Sequence, residues 1–291
     1  MSWHYIPSVL TLGAVCSGLT AVRMAEANHF VDSVFCVFCA AVLDGLDGHV
    51  ARYLGAVTEI GAELDSLCDL VNFGVAPALV MFMWFRSLPN EACALSTQCS
   101  VEENLMWGAC CIYLSCCAFR LARFNVAGRA AEMDRELPEK SPRAVESGTA
   151  IVRYYHAVCE NVMHKKLWFE GVPAPVGASY ALSPLMVSLS GLPVPAPGRI
   201  GTICILLLTG ALMVCRVPTL SSKMLKTSQK SSHLRSSSIL TSSSKFLAAV
   251  LAFLFSWRYA PAVFLLCALV HASSIPIGVH LYRGIGHERK A

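Results

Sequence analysis

Leu43-Asp44-Gly45-Leu46-Asp47-Gly48-His49-Val50-Ala51-Arg52 closes one apolar run of this chain, and Gly61-Ala62-Glu63-Leu64-Asp65-Ser66-Leu67-Cys68-Asp69 opens the next. Ionisable groups in such runs are costly within a bilayer and mark a functional site facing a bundle interior or a watery cavity. Asp44 and Asp47 are spaced i,i+3 and Asp65 and Asp69 i,i+4, so each pair shares one helix face. Two antiparallel helices joined by a short turn then bring four carboxylates together. Close anions resist shared ionisation. Arg52 can neutralise one, and the rest call for divalent cations, which with oxygen-only ligands means Mg²⁺ or Mn²⁺. Gly45, Gly48 and Gly61 are costly in helix interiors and suit a ligand lying close to the backbone. Loose packing through small residues is the bland reading of a single glycine, but it does not account for three interleaved with four aspartates and an arginine.

The surrounding chain agrees. Its 291 residues are 55% hydrophobic and 14% charged, with mean hydropathy +0.55. A soluble domain carries about 25% charge, and a disordered chain needs the opposite balance. Apolar runs near 6–25, 31–53, 62–85, 105–125, 174–190, 200–217, 246–258 and 261–282 predict an all-α polytopic transmembrane bundle of about eight spans. The first run has no basic n-region before it and reads as a retained span. Polar stretches at 86–104, 126–173 and 218–245 separate the runs, the second with a short surface helix expected around 144–168. The third has eleven serines, five Lys or Arg and no acid, which reads as a flexible basic loop. Most of the 14 cysteines lie in apolar runs as small hydrophobes, while Cys93 and Cys99 fall in a polar loop where a bridge can form. The Cys36 and Cys39 pair lacks the further ligands of a zinc site.

Charge sets the orientation. If the amino terminus, the 52–61 turn, the 126–173 and 218–245 loops and the tail share one side, that side holds 19 of the 23 basic residues. Only Arg23, Arg86, Arg199 and Arg258 lie opposite, so the first side is expected to be cytoplasmic. Of 19 acidic residues, 18 precede position 171, which confines carboxylate chemistry to the first part of the chain.

The segment from Asp44 to Arg52, then eight residues, Gly61, three residues, Asp65, three residues and Asp69, resembles the signature of the CDP-alcohol phosphatidyltransferases at every fixed position. The resemblance implies that Asp44, Asp47, Asp65 and Asp69 hold two divalent ions, Mg²⁺ or Mn²⁺, with Asp69 also the general base. It sets Gly48, Ala51, Arg52, Thr58 and Gly61 against the CDP moiety. It also implies a six-helix membrane core over 1–217, to which this chain adds a cytoplasmic insertion (129–168), the 218–245 loop and carboxyl-terminal helices with a basic tail (246–291).

Further stretches resemble the bacterial-type phosphatidylserine synthases within that family. They are Ile6-Pro7-Ser8-Val9-Leu10-Thr11-Leu12, Arg120-Leu121-Ala122-Arg123-Phe124-Asn125, Phe169-Glu170-Gly171-Val172-Pro173-Ala174-Pro175 and Pro218-Thr219-Leu220-Ser221-Ser222-Lys223. The resemblance implies transfer of a phosphatidyl group from CDP-diacylglycerol to L-serine with release of CMP, on the cytoplasmic face of a bacterial inner membrane. Its partners would be those substrates and membrane lipids, with a homodimer allowed and no nucleic acid. Arg120, Arg123 and Asn125 suit a carboxylate acceptor through fork geometry and an amide, and serve equally as positive-inside anchors. Lys223 suits lipid or diphosphate, or a plain headgroup anchor. Glycerol 3-phosphate or inositol as acceptor would use the same chemistry. An ion-coupled transporter would instead show broken helices in repeated halves, against which the nearly acid-free carboxyl-terminal part argues, and a membrane scaffold leaves four aspartates unexplained.

Overall fold

The computed structural model describes residues 5–88, 96–136, 168–190, 197–215 and 218–220, together with 269 and 272. Helix α1 (Ile6–Glu26) and helix α2 (Phe30–Leu54) form a hairpin across a turn in which Asn28 takes a φ of 60°. Pro7 stands in the first turn of α1, where its missing N–H costs nothing. Helix α2 stops at Gly55, whose φ of 61° is the left-handed conformation that glycine adopts without strain, and its N–H caps the Ala51 carbonyl. Three residues later Thr58 starts α3 (Glu59–Asp69) by accepting the Gly61 N–H on its hydroxyl oxygen at 3.0 Å. A glycine stop and a threonine start therefore write the short turn that brings the two aspartate-bearing helices side by side.

Helix α3 does not end at Asp69. It widens into a π-helical segment (Leu70–Val75) and continues as α4 (Ala76–Ser87), giving 29 residues from Glu59 to Ser87. The shift from i+4 to i+5 bonding loosens the backbone ladder, and there the buried Tyr113 hydroxyl donates to the Phe73 carbonyl at 2.6 Å. Tyr113 belongs to α5 (Ser96–Glu136), which packs along this helix and places Met106, Ala109, Cys110, Tyr113 and Cys117 in the core. Two short helices follow, α6 (Ala174–Ala181) and α7 (Ser183–Leu189), and then α8 (Arg199–Val214), which packs on α5 and α6. At the end of the bundle away from the aspartates, Arg199 meets Glu102 at 2.5 Å, donates to the Phe85 carbonyl and lies 4.1 Å over the Phe85 ring. One side chain thereby joins α4, α5 and α8.

The bundle is helical as expected, with departures in count and in detail. Among the described residues three helices are long and apolar enough to cross a membrane, Ile6–Glu26, Glu59–Ser87 and Val101–Arg129. The expected second span is the 25-residue α2, which carries Asp32, Asp44, Asp47 and Arg52. The expected fifth span is broken at Leu182, because Ser183-Pro184 begins a new helix and proline cannot continue the old ladder. The sixth is the 16-residue α8. The expected spans 246–258 and 261–282 lie outside the described residues apart from 269 and 272, as do the surface helix up to 167, Cys93 and the loop beyond 220. Helix α5 runs on to Glu136, so the expected insertion begins as a helical extension. One feature was not expected of an all-α chain: β1 (Trp168–Glu170) pairs antiparallel with β2 (Pro218–Leu220).

The Tyr113 contact gives the first prediction. Tyr113→Phe keeps the ring and leaves the buried Phe73 carbonyl without that donor, a loss of about 1–3 kcal/mol. Thermal unfolding of purified protein in detergent is expected to shift downward; an unchanged midpoint would show that the π segment does not depend on this hydroxyl.

Candidate active site

The paired aspartates meet as their spacing demands. One carboxylate oxygen from each of Asp44, Asp47 and Asp65 can be chosen so that all lie within 4.8 Å of one another. Oxygens on opposite sides of a Mg²⁺ octahedron are about 4.2 Å apart, from bond lengths near 2.1 Å, so this cluster is the right size to close on one hard cation. Asp69 stands against Asp44 in the same cluster. Asp44 Oδ1 and Asp69 Oδ1 are both buried with no hydrogen-bond partner among the described residues. Buried acceptors without donors are rare in folded proteins, and here they point into a set of carboxylates. Oxygen-only donors with unused lone pairs fit a divalent cation.

The surroundings hold the carboxylates in place. Asp47 is only 4% exposed, and its Oδ2 accepts a hydrogen bond of 2.5 Å from the Thr11 hydroxyl of α1. Sequence reasoning missed Thr11 as a site residue, although it lies within the opening segment Ile6–Leu12 that carries the family resemblance. On the other flank, Ser66 lies between Asp65 and Asp69 in sequence, and Asn125 of α5 donates its amide N–H to Ser66 Oγ at 2.9 Å. The Ser66 hydroxyl is in turn 3.1 Å from the Ala62 carbonyl. Glu63 and Arg129 form an ion pair that ties α3 to α5 again.

Positive charge sits at the edges. The Arg52 guanidinium lies 3.7 Å from where a Cβ on Gly48 would stand, and interacts with both Asp47 and Asp65. A Cβ on Gly45 would meet nothing within 4 Å, so this face of α2 offers open space beside the carboxylates. Ala51 is half-buried on the same helix, and Thr58 and Gly61 form the cap described above. Arg120 acts electrostatically on Asp69, and its buried Nε has no hydrogen-bond partner among the described residues. Its two expected companions differ: Arg123 donates Nη1 to the Val214 carbonyl at 3.0 Å, and Asn125 is engaged with Ser66. Among the expected site residues, Lys223 alone lies outside the described residues.

Comparison with known proteins places the chain in a family. The sequence pattern of the CDP-alcohol phosphatidyltransferases matches residues 4–271. The chain belongs to this family. Among its relatives, a CDP-diacylglycerol–serine O-phosphatidyltransferase of Mycobacterium leprae is 34% identical over 184 residues, 63% of this chain and 47% of that protein. One of Mycobacterium tuberculosis is 39% identical over 120 residues, 41% of this chain and 37% of the relative. One of Bacillus subtilis is 34% identical over 126 residues, 42% of this chain and 62% of the relative. The chain thus spans about half the length, or less, of the mycobacterial relatives it matches. In this phosphatidyltransferase-family chain the four aspartates are carried by two helices and braced by a third and a fourth.

Thr11 supplies the second prediction. Thr11→Val removes the hydroxyl bound to Asp47 while keeping the side chain's shape. Losing a hydrogen bond that orients a metal-ligating group costs about 10–100-fold in affinity. Calorimetric titration of purified protein with Mn²⁺ is expected to show that loss, and equal affinities would detach Thr11 from the site.

Proposed function

We propose that this chain transfers a phosphatidyl group from CDP-diacylglycerol to L-serine, giving phosphatidylserine and CMP. The observation that carries the reading is the cluster of Asp44, Asp47 and Asp65 oxygens within 4.8 Å, with the unpartnered buried oxygen of Asp69 beside it. The serine-transferase names of the relatives from three bacteria support the choice of acceptor.

Two divalent cations, Mg²⁺ or Mn²⁺, held by Asp44, Asp47, Asp65 and Asp69 would offset the charge of the diphosphate and of the departing CMP phosphate. The remaining roles belong to the chain. Gly45 and Gly48 leave the face of α2 open, so the CDP moiety can lie close to the backbone between Arg52 and the α3 cap. Gly48, Ala51 and Gly61 border it sterically. The Thr58 hydroxyl accepts from Gly61 and keeps its own hydrogen for a phosphate oxygen. Asp69 takes the serine hydroxyl proton, for which it needs hydrogen-bond reach to the acceptor. The serine oxygen then forms a bond to the lipid-side phosphorus, the bond from that phosphorus to the CMP oxygen breaks, and CMP leaves.

Serine differs from inositol by a carboxylate and an ammonium group. Arg120 is suited to that carboxylate because it lies beside Asp69 with an unused donor. Arg123 and Asn125 border the same turn of α5, and Lys223 follows β2 by three residues as a candidate for the diphosphate or a headgroup. The surplus of Lys and Arg on one side supports a site on the cytoplasmic face of the membrane.

Purified protein given CDP-diacylglycerol, Mn²⁺ or Mg²⁺ and a panel of serine, glycerol 3-phosphate and inositol is expected to release CMP with serine. Release with another alcohol alone would reassign the acceptor, and release with none would remove the transferase reading. Excess EDTA is expected to abolish turnover, because the four carboxylates have too few protein cations to offset them.

Asp69→Asn is expected to lower turnover about 10²–10⁴-fold while CDP-diacylglycerol binding stays largely intact. Near-normal turnover in that variant would exclude Asp69 as the base.

A further inference from the structure

The carboxyl end of α8 is gripped from two sides. The last carbonyls of a helix have no intrahelical donor and must be met from elsewhere. Here the Val172 N–H donates to the Leu212 carbonyl at 3.3 Å. Arg123 of α5 donates Nη1 to the Val214 carbonyl at 3.0 Å, which also places a cation at the negative end of a helix. Between these contacts Gly171 turns the chain with a φ of 77°, and a Cβ there would stand 2.6 Å from the Met213 carbonyl oxygen and 2.9 Å from that of Cys215. Only glycine satisfies both the conformation and the approach. Immediately before it, β1 pairs with β2, setting Trp168 opposite Leu220, Phe169 opposite Thr219 and Glu170 opposite Pro218. The segment that enters α6 and the segment that leaves α8 are therefore fastened together. Arg123 ties them to the turn of α5 whose Arg120 interacts with Asp69.

We infer that Arg123 is a positioning residue, which locks the end of α8 and the β1–β2 pair onto the Arg120 turn of α5. Resting on the serine-transferase reading above, this assigns Arg123 to holding the wall of the acceptor side rather than to binding the acceptor. The strand pair fixes where the chain leaves β2, and the Arg123 contact fixes that exit relative to Arg120. Lysine can donate to the same carbonyl as a point charge, whereas glutamine is shorter and uncharged.

The test compares full-length wild type, Arg123→Gln and Arg123→Lys by amide hydrogen exchange and by steady-state kinetics in both substrates. In Arg123→Gln, exchange at 168–172 and 212–220 is expected to quicken at least tenfold. The turnover number is expected to fall about tenfold or more, with the KM for serine and for CDP-diacylglycerol each within about threefold of wild type. Arg123→Lys is expected to restore most of both. Unchanged exchange would overturn the inference, as would a rise confined to the serine KM, which marks an acceptor ligand. Faster exchange with unaltered kinetics would reduce the contact to a structural one and also overturn it. If Arg123→Gln does not accumulate as folded protein, Gly171→Ala attacks the same fastening from the other side, with the same results expected and the same results decisive. Should wild type release CMP with a different alcohol only, the acceptor reading fails, yet exchange and kinetics with that alcohol still decide the role of Arg123.

Discussion

Gathering carboxylates inside an apolar bundle is the constraint on which the rest of this structure depends. Asp44, Asp47, Asp65 and Asp69 repel one another, and the burial of Asp47 and of an oxygen on each of Asp44 and Asp69 limits the water that would screen them. Folding alone gains nothing from the arrangement, so the backbone must impose it. It does so through a turn that leaves little freedom, from the left-handed Gly55 to the Thr58 cap. Thr11 from α1 and the Asn125–Ser66 contact from α5 then fix the two aspartate helices from opposite flanks. Such bracing keeps the carboxylates apart enough to tolerate one another and close enough to share a cation.

The π segment follows from the same constraint. Asp65 and Asp69 occupy ordinary α-helical register, and directly after Asp69 the helix widens over Leu70–Val75 before resuming as α4. An extra residue in a turn rotates everything beyond it relative to everything before. The apolar face of α4, with Val80, Met81, Trp84 and Phe85 in the core, is thus uncoupled in phase from the acidic face of α3. Tyr113 offsets part of the backbone cost by its bond to Phe73. A single helix can then serve the site with one end and the core with the other.

Much of this was legible in the sequence, for a physical reason. Charges in apolar runs are rare, so Asp44, Asp47, Asp65 and Asp69 stood out, and helical spacing alone said which would share a face. Gly55, Thr58 and the prolines mark ends by local conformational preference. What escaped were features made by contacts between distant residues. Thr11 meets Asp47 from 36 positions away, and a hydroxyl in a span carries no sign of its partner. The strand pair joins residues about 50 apart through two three-residue segments too short to show alternation. The π segment has no composition of its own. The break at Leu182 was foreshadowed by Pro184, but the apolar run across it concealed the stop.

The polar end of α5 shows how far residue type can mislead without partners. Arg120, Arg123 and Asn125 read in sequence as one carboxylate-binding group, because each has donors of the right kind. In the folded chain they fan out around the helix by about 100° per residue, and each meets a different element. Arg120 acts electrostatically on Asp69, Arg123 bonds the end of α8, and Asn125 bonds Ser66 of α3. Two of these side chains thus join α5 to the exit of the last described long helix and to the helix that carries Asp65 and Asp69. A shift of α5 would disturb these junctions together, so the surroundings of Arg120 are mechanically coupled to the helix that carries Asp65 and Asp69. The placement of one helix thus bears on the end of α8 and on the acidic helix α3 at once.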